Sequence, residues 1–222
     1  MFARSAAWQL RSLLMRPQPQ RRARGEARRE QIISEALRVF AEHGYRNASA
    51  AEIAERCGLS QPGLWHYFPN KDALLTAALA HRDQNDLARF GHDLPLRGAD
   101  GLRRLVTLIE AKEQAPDLVR LFTVVAGESV TVDHPARDWA VRRHRTMRLH
   151  AAAALEGGVA NGEFRSGIDI PAIASQVVAT IDGLQLQWLL DPEEIELAAV
   201  FETYIESLID CLTVTNDTEE TG

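Results

Sequence analysis

Across residues 26–212 the apolar positions recur every three or four residues, the period of an amphipathic helix, and no segment shows the two-residue alternation of a half-buried strand. The pattern predicts an all-α chain. A first helix is expected over about 26–43, with Ile33, Leu37 and Phe40 on one face and Gly44 as a left-handed C-terminal cap. Ser49, with Glu52 three residues on, forms a capping box that opens a short helix closed by Gly58. Ser60 opens another to about Tyr67, Pro69-Asn70 stops it, and Asn70 caps a long fourth helix over about 71–90. After a Gly/Pro-containing loop at 91–98, helical segments are expected at about 99–114, 116–129, 135–156, 171–190 and 192–212. Pro116, Pro135, Pro171 and Pro192 each stand at a first turn, where a missing N–H costs nothing. The last two segments are the most apolar pair, are separated only by Asp191-Pro192, and are expected to form an antiparallel hairpin. Residues 213–222 carry no periodicity and read as a disordered tail.

Composition narrows the class. With 222 residues, 45% apolar and 25% charged, the chain suits one large globular domain or two small ones. The most apolar run, at 170–190, contains Asp182 and three glutamines, which argues against a membrane span. Cys57 and Cys211 are too few for a disulfide framework or a four-ligand zinc site and fit a reduced cytoplasm. His144 and His150, six apart, do not share a helical face, so no metal is expected. Phosphate loops, nucleophile elbows and CxxC pairs are missing, so neither an enzyme nor a cofactor is expected.

The net charge of −6 disfavours a nucleic-acid partner until it is divided. Residues 1–72 hold 12 Lys+Arg against 7 Asp+Glu, net +5, and the rest 13 against 24, net −11. Such asymmetry marks a basic binding module on an acidic body. Residues 1–25 contain six arginines and no acid. They read as a disordered basic extension, with a start codon assigned upstream of Met15 as one origin. A basic arm reaching DNA and a transit-peptide-like segment are the alternatives.

Residues 49–68 set two short helices about a Gly-containing turn, a helix-turn-helix. A first helix crosses the DNA backbone and holds a second in a major groove wide enough to admit it. Ala50, Ala51 and Ala54 allow close helix approach. Ile53, Leu59, Leu64 and Phe68 form the apolar side, with Gln61, Pro62, Trp65 and His66 on the other.

With Ile32-Ile33, Ala36, Val39-Phe40, Gly44-Tyr45, Ser49, Ile53-Ala54, Gly58-Leu59-Ser60, the Leu64-Trp65-His66-Tyr67-Phe68 run and Asn70-Lys71 before Leu74-Leu75, the chain resembles the TetR/AcrR family of bacterial transcriptional regulators. The resemblance implies an N-terminal three-helix helix-turn-helix domain (26–72), joined through the fourth helix to a C-terminal helical ligand-binding and dimerisation domain (73–212). It implies a cytoplasmic homodimer paired through helices 171–190 and 192–212, bound to a pseudo-palindromic operator as a repressor and released by a small-molecule effector. The fourth helix is the expected link between the two activities.

The resemblance assigns DNA contacts to Ser49, Ala50, Ser60, Gln61, Pro62, Gly63, Trp65, His66, Tyr67 and Lys71. Gln61 is the best base reader, since a glutamine bonds bidentately to adenine. Ser49, Trp65, His66, Tyr67 and Lys71 are phosphate contacts. Ser49 doubles as an N-cap and Tyr67 equally packs. Pro62-Gly63 departs from the usual pattern, which leaves few base-edge donors. Gly63 serves either a close approach to DNA or a tight helix crossing. In the body, Phe122, Trp139, His144, Asp182, Gln185 and Trp188 are the candidate pocket, with Glu110 and Glu128 weaker. Two alternatives stay open: an effector-independent DNA-binding protein, and an all-α small-molecule enzyme with a vestigial helix-turn-helix.

Overall fold

A computed structural model describes residues 19–90 and 97–214, with side chains over 23–83 and 97–214. Its described residues form nine helices: α1 (Pro19–Asn47), α2 (Ala50–Arg56), α3 (Gln61–Tyr67), α4 (Lys71–Phe90), α5 (Gly98–Glu113), α6 (Pro116–Glu128), α7 (Arg137–Ala160), α8 (Ile170–Leu190) and α9 (Leu197–Leu212). The readings of residues 1–18, 91–96 and 215–222 lie outside the described residues.

Several expected boundaries move, each for a local reason. Residues 19–25, expected to be unstructured, are the opening turns of α1. Pro19 sits at the first helical position, and the Arg, Gln and Ala that follow are good helix formers. Gly44 breaks the helix, but not as a left-handed cap. Its φ of 72° and ψ of 169° lie in a region essentially confined to glycine, and one further turn follows before Asn47. The helix expected over about 135–156 was to stop at Glu156, yet α7 runs on through Gly157 and Gly158. Both are buried, and a Cβ on Gly158 would stand 2.2 Å from the Phe164 ring, so glycine here lets the returning chain close onto the helix.

Pro192 opens a turn rather than a helix, with Ile195 N–H donating to the Asp191 carbonyl at 3.2 Å. Helix α9 starts only at Leu197, where Glu113 Oε1 of α5 accepts from Ala198 N–H at 2.9 Å and caps it from outside. Thr213 and Val214, expected in the tail, are tied down. Thr213 pairs with Phe164 in an isolated antiparallel bridge, and Val214 N–H donates to the Glu163 carbonyl at 3.2 Å.

Packing divides into two cores. The first joins Ile32, Ala36, Val39 and Phe40 of α1 and Leu74, Leu75, Ala78 and Leu79 of α4 to Leu121, Phe122 and Val125 of α6 and to Trp139 of α7. The second holds Leu102, Val106 and Ile109 of α5, Leu155 of α7, Val177 and Ile181 of α8, and Phe201 and Ile205 of α9. Helix α6 therefore shares its main core with the N-terminal helices rather than with the body in which the sequence places it. Helices α8 and α9 touch, as expected, but each packs more extensively elsewhere, α8 on α7 and α9 on α5.

Gly44→Ala tests the break in α1. Its backbone conformation is costly for any L-residue, and the new Cβ would stand 2.6 Å from Glu128 Oε1. Urea denaturation should show a loss of about 1–3 kcal/mol; an unchanged midpoint would mean that α1 straightens without cost.

Candidate nucleic-acid interface and ligand cavity

The two short helices are built by their caps. Ser49 is the N-cap of α2, its hydroxyl accepting from Glu52 N–H at 3.4 Å. Ser60 is the N-cap of α3, its hydroxyl accepting from Gly63 N–H at 3.2 Å. A hydroxyl that accepts in this way keeps its own proton to donate, so capping and phosphate contact are compatible. The turn between the helices uses Gly58 at φ 64°, and Leu59 N–H donates to the Ala54 carbonyl at 2.8 Å. Arg28 of α1 closes it from the side, donating to the Cys57 carbonyl at 2.5 Å.

Leu64 and Phe68 are buried, and the Arg29 guanidinium lies 4.5 Å over the Phe68 ring. This leaves Gln61, Pro62 and His66 exposed on α3, while Trp65, Tyr67 and Ala50 are half-buried against the first core. A Cβ on Gly63 would meet only Ser60 Oγ at 3.3 Å and Leu59 at 3.7 Å, both in its own turn, so no tight crossing of helices demands glycine there. Lys71 is engaged internally. Its ammonium donates to the carbonyls of Arg46 (3.1 Å) and Ala48 (3.0 Å) and sits 4.6 Å over the Tyr45 ring, and burial holds its pKa below the usual lysine value. One N–H of three remains for a phosphate.

The head is joined to the body by a polar cluster that motif reading did not reveal. The Glu128 carboxylate, at the end of α6, accepts from the backbone N–H of Tyr45 at 2.7 Å and of Arg46 at 3.5 Å. The Tyr45 hydroxyl bonds the Asp72 carboxylate on α4, and burial, then that carboxylate, pushes its pKa up. Its ring meets His134 edge-on at 5.0 Å. Buried His134 takes the Ala136 N–H on Nδ1 at 3.2 Å, while its Nε2, without a hydrogen bond, lies 3.7 Å from Glu128 Oε2. Desolvation lowers the His134 pKa.

Of the six pocket candidates, Phe122, His144, Asp182 and Gln185 come together around a cavity of about 270 Å³ between α6, α7 and α8, with Met147 and Arg143. Trp139 stands behind it, stacked on Phe122 at 5.5 Å, its indole N–H donating to Asp83 at 2.8 Å. Trp188 lies elsewhere, in a groove with Glu110 and Glu113. Glu128 belongs to the joint. Arg143 covers Phe122 at 3.9 Å and approaches Asp83 at 3.8 Å.

His144 Nδ1 lies 2.9 Å from the Ala140 carbonyl and Nε2 3.2 Å from Asp182 Oδ2. Both partners accept hydrogen bonds, an arrangement that favours a proton on each ring nitrogen and hence the cation. The bond to Asp182 is the main cause of its raised pKa. This pairing answers how a carboxylate is kept in the most apolar helix.

Comparison with known proteins gives one coherent picture. Residues 32–78 match the family model for bacterial regulatory proteins of the tetR family, and residues 99–210 match that for the C-terminal part of BetI-type transcriptional repressors. The probable HTH-type transcriptional regulator ArpR of Pseudomonas putida is 27% identical over 200 residues, covering 86% of this chain and 95% of that protein. The fatty acid metabolism regulator protein of Bacillus subtilis is 21% identical over 193 residues, covering 81% and 92%. A crystal structure of the Bacillus subtilis regulator FadR in complex with stearoyl-CoA has the same fold, with a TM-score of 0.65 at 20% identity and coverage of 81% and 97%. A TetR-family regulator from Cytophaga hutchinsonii gives a TM-score of 0.69 at 20% identity, covering 86% and 97%.

The two histidines should titrate in opposite directions from the ordinary value of about 6.5. The depressed pKa of His134 means that its contribution to stability is complete above that value and is lost as the pH falls below it. The raised pKa of His144 means that its contribution is complete below that value and is lost as the pH rises through the folded pKa. NMR titration of the Cε1–H resonances should give a midpoint below 6.5 for His134 and above 6.5 for His144. The reverse order would overturn both assignments.

Proposed function

The chain belongs to the TetR family of bacterial regulatory proteins and is a helix-turn-helix transcriptional regulator, and from that footing we propose a homodimeric repressor that leaves a pseudo-palindromic operator when a small molecule enters its body. The observation that carries the reading is that one helix serves both activities. Helix α6 walls the cavity with Phe122, Thr123 and Ala126, and ends in Glu128, which grips the backbone N–H groups of Tyr45 and Arg46 at the base of the head. A ligand that displaces α6 moves that grip and with it the spacing of the two recognition helices, which must match successive major grooves about 34–36 Å apart. The fourth helix adds a second link through Asp83, which bonds Trp139 behind the cavity. DNA and effector then weaken each other's binding by the same factor.

On the DNA side, a reading head of residues 26–72 presents Gln61 to base edges, and Ser49, Ser60, Trp65, His66, Tyr67 and the remaining N–H of Lys71 to phosphates. Pro62, Gly63 and Ala50 allow close approach. The head spends several arginines on itself: Arg56 on Glu42 (2.6 Å) and Glu52 (2.7 Å), Arg38 on Glu35 (2.8 Å) and Arg28 on Cys57. Affinity leans on dimerisation and helix termini more than on bulk charge, so its salt dependence is shallow for a DNA binder. The sensing body, residues 73–212, dimerises through α8 and α9. That reading is supported by a stripe of exposed Ala179, half-buried Gly183 and exposed Leu186 and Leu190 at spacings of four, three and four, with Leu190 76% exposed, and by exposed Val200 on α9. The protein works in the cytoplasm as a regulator, not an enzyme. No helix among the described residues is long and apolar enough to cross a membrane.

Two measurements test this reading. In gel-shift titrations on the DNA upstream of its own gene, Gln61→Ala should lose about 1–3 kcal/mol of specific affinity with little change in binding to random DNA. The absence of any sequence-dependent shift by the unmodified protein would end the regulator reading. In sedimentation, Leu186→Arg with Leu190→Arg should convert a dimer to a folded monomer and abolish the shift. A dimer that survives both changes would place the interface elsewhere.

A further inference from the structure

Beside the cavity, on the flank of α7, lies a groove of about 290 Å³ that shares Ala126, Val130 and His144 with it, so the two adjoin. Arg137, His144 and Arg148 line the groove and no acid does, in a part of the chain whose net charge is −11. Arg148 is half-buried and makes no ion pair or hydrogen bond among the described residues. Arg137 spends Nη1 on the carbonyls of Ser129 and Val130, each at 3.1 Å, and keeps its other donors. His144 is paired with Asp182 and its two N–H groups are taken, so the groove's free positive charge is that of the two arginines. In the cavity itself Phe122, Met147 and Val130 are apolar. Gln185, only 8% exposed, lines the cavity and makes no side-chain hydrogen bond among the described residues, so its amide is open to a ligand there.

We infer that the cavity and groove together take an oxyanion-headed amphiphile. A carboxylate or phosphate is held by Arg148 and the outer donors of Arg137, and the apolar body lies against Phe122, Met147 and Val130. A carbonyl or hydroxyl near the head satisfies Gln185. The two spaces are of the size that small-ligand sites have, and a few polar groups around an apolar wall is their usual composition. Planar guanidinium forks suit oxyanions, and none of the groove's side chains suits a cation. Asp182, the acid of the cavity, is already neutralised by His144. The inference rests on the reading of the body as an effector-binding domain.

The test uses the full-length protein with four probes below their micellar concentrations: decanoate, decyl phosphate, decanol and decyltrimethylammonium. Binding is followed by calorimetry and by emission of Trp139, which backs Phe122. Decanoate or decyl phosphate should bind most tightly, the better of the two naming the head group. Arg148→Gln should weaken that binding roughly tenfold, the equivalent of one lost charge-assisted hydrogen bond, and leave decanol unchanged. Arg142→Gln, on the exposed side of the same helix, should bind all four as the unmodified protein does.

Tighter binding of the cation, no binding of either anion, or an Arg148→Gln variant that binds both anions normally would overturn the assignment. DNA release is scored separately on the gel-shift fragment. Anions that bind through Arg148 without releasing DNA keep the site and remove the release mechanism. Release by decanol or the cation, but not by the anions, keeps the mechanism and removes the site.

Discussion

A carboxylate at the end of α6 faces two backbone N–H groups exposed by a break in α1, and the arrangement of the whole chain follows from that contact. Glu128 reaches Tyr45 and Arg46 because Gly44 turns the backbone into a conformation that other residues avoid. The broken helix leaves donors that no intrahelical carbonyl satisfies, and a buried unsatisfied N–H is costly. Glu128 satisfies them from 82–83 residues away in sequence, and so sets the end of α6 against the root of the head. Tyr45, Asp72, Lys71 and His134 close around the same point, which ties α1, α4, α6 and the start of α7 into one polar node.

The node explains why the cores divide where they do. Phe122 and Val125, on the turns before Glu128, pack with Phe40 and Leu75, so α6 belongs to the head's core, and Phe122 with Thr123 and Ala126 also walls the cavity. A helix that shares a residue between the two is a natural coupler, since a packed core shifts as a unit rather than deforming point by point. Helices α8 and α9 are anchored in the second core, apart from the node, and are available for a symmetric contact.

Charge is sorted on the same plan. In the head, arginines pair with nearby acids or cap carbonyls, which places them as structural groups before any DNA arrives. In the body the excess of acid stays off the lining of one groove, where Arg137 and Arg148 flank a His144 whose charge is matched by Asp182. His134 and His144 mark the two environments. One is buried with a nitrogen unbonded and pushed toward neutrality; the other is bonded on both nitrogens to acceptors and pushed toward the cation.

The sequence by itself determined the helices of the head and their caps, because a cap is a local matter of one hydroxyl and an N–H three residues on; Ser49, Ser60 and Asn70 were legible for that reason. It also determined the all-α class, the polar candidates on α3, and the suspicion attached to Asp182 and Gln185, since a polar group in an apolar helix must find a partner. It was misled where the partner is distant. Pro192 looked like a helix start, yet Glu113 of another helix sets where α9 begins, and the helix expected to end at Glu156 runs on through Gly157 and Gly158, where Phe164 packs. Trp139 and Trp188 resembled pocket residues by composition, but only the packing of α7 on α6 and of α8 on α9 decided that one stands behind the wall and the other in a separate groove. The Glu128 node joins residues with no local spacing to betray them, whereas Arg137, His144 and Arg148 recur at seven and four on one face of α7, and only the wall they share with α6 came from packing. The node exists only once α1, α4 and α6 are packed, so the tertiary structure alone decided how the head is held and where the cavity and the groove lie.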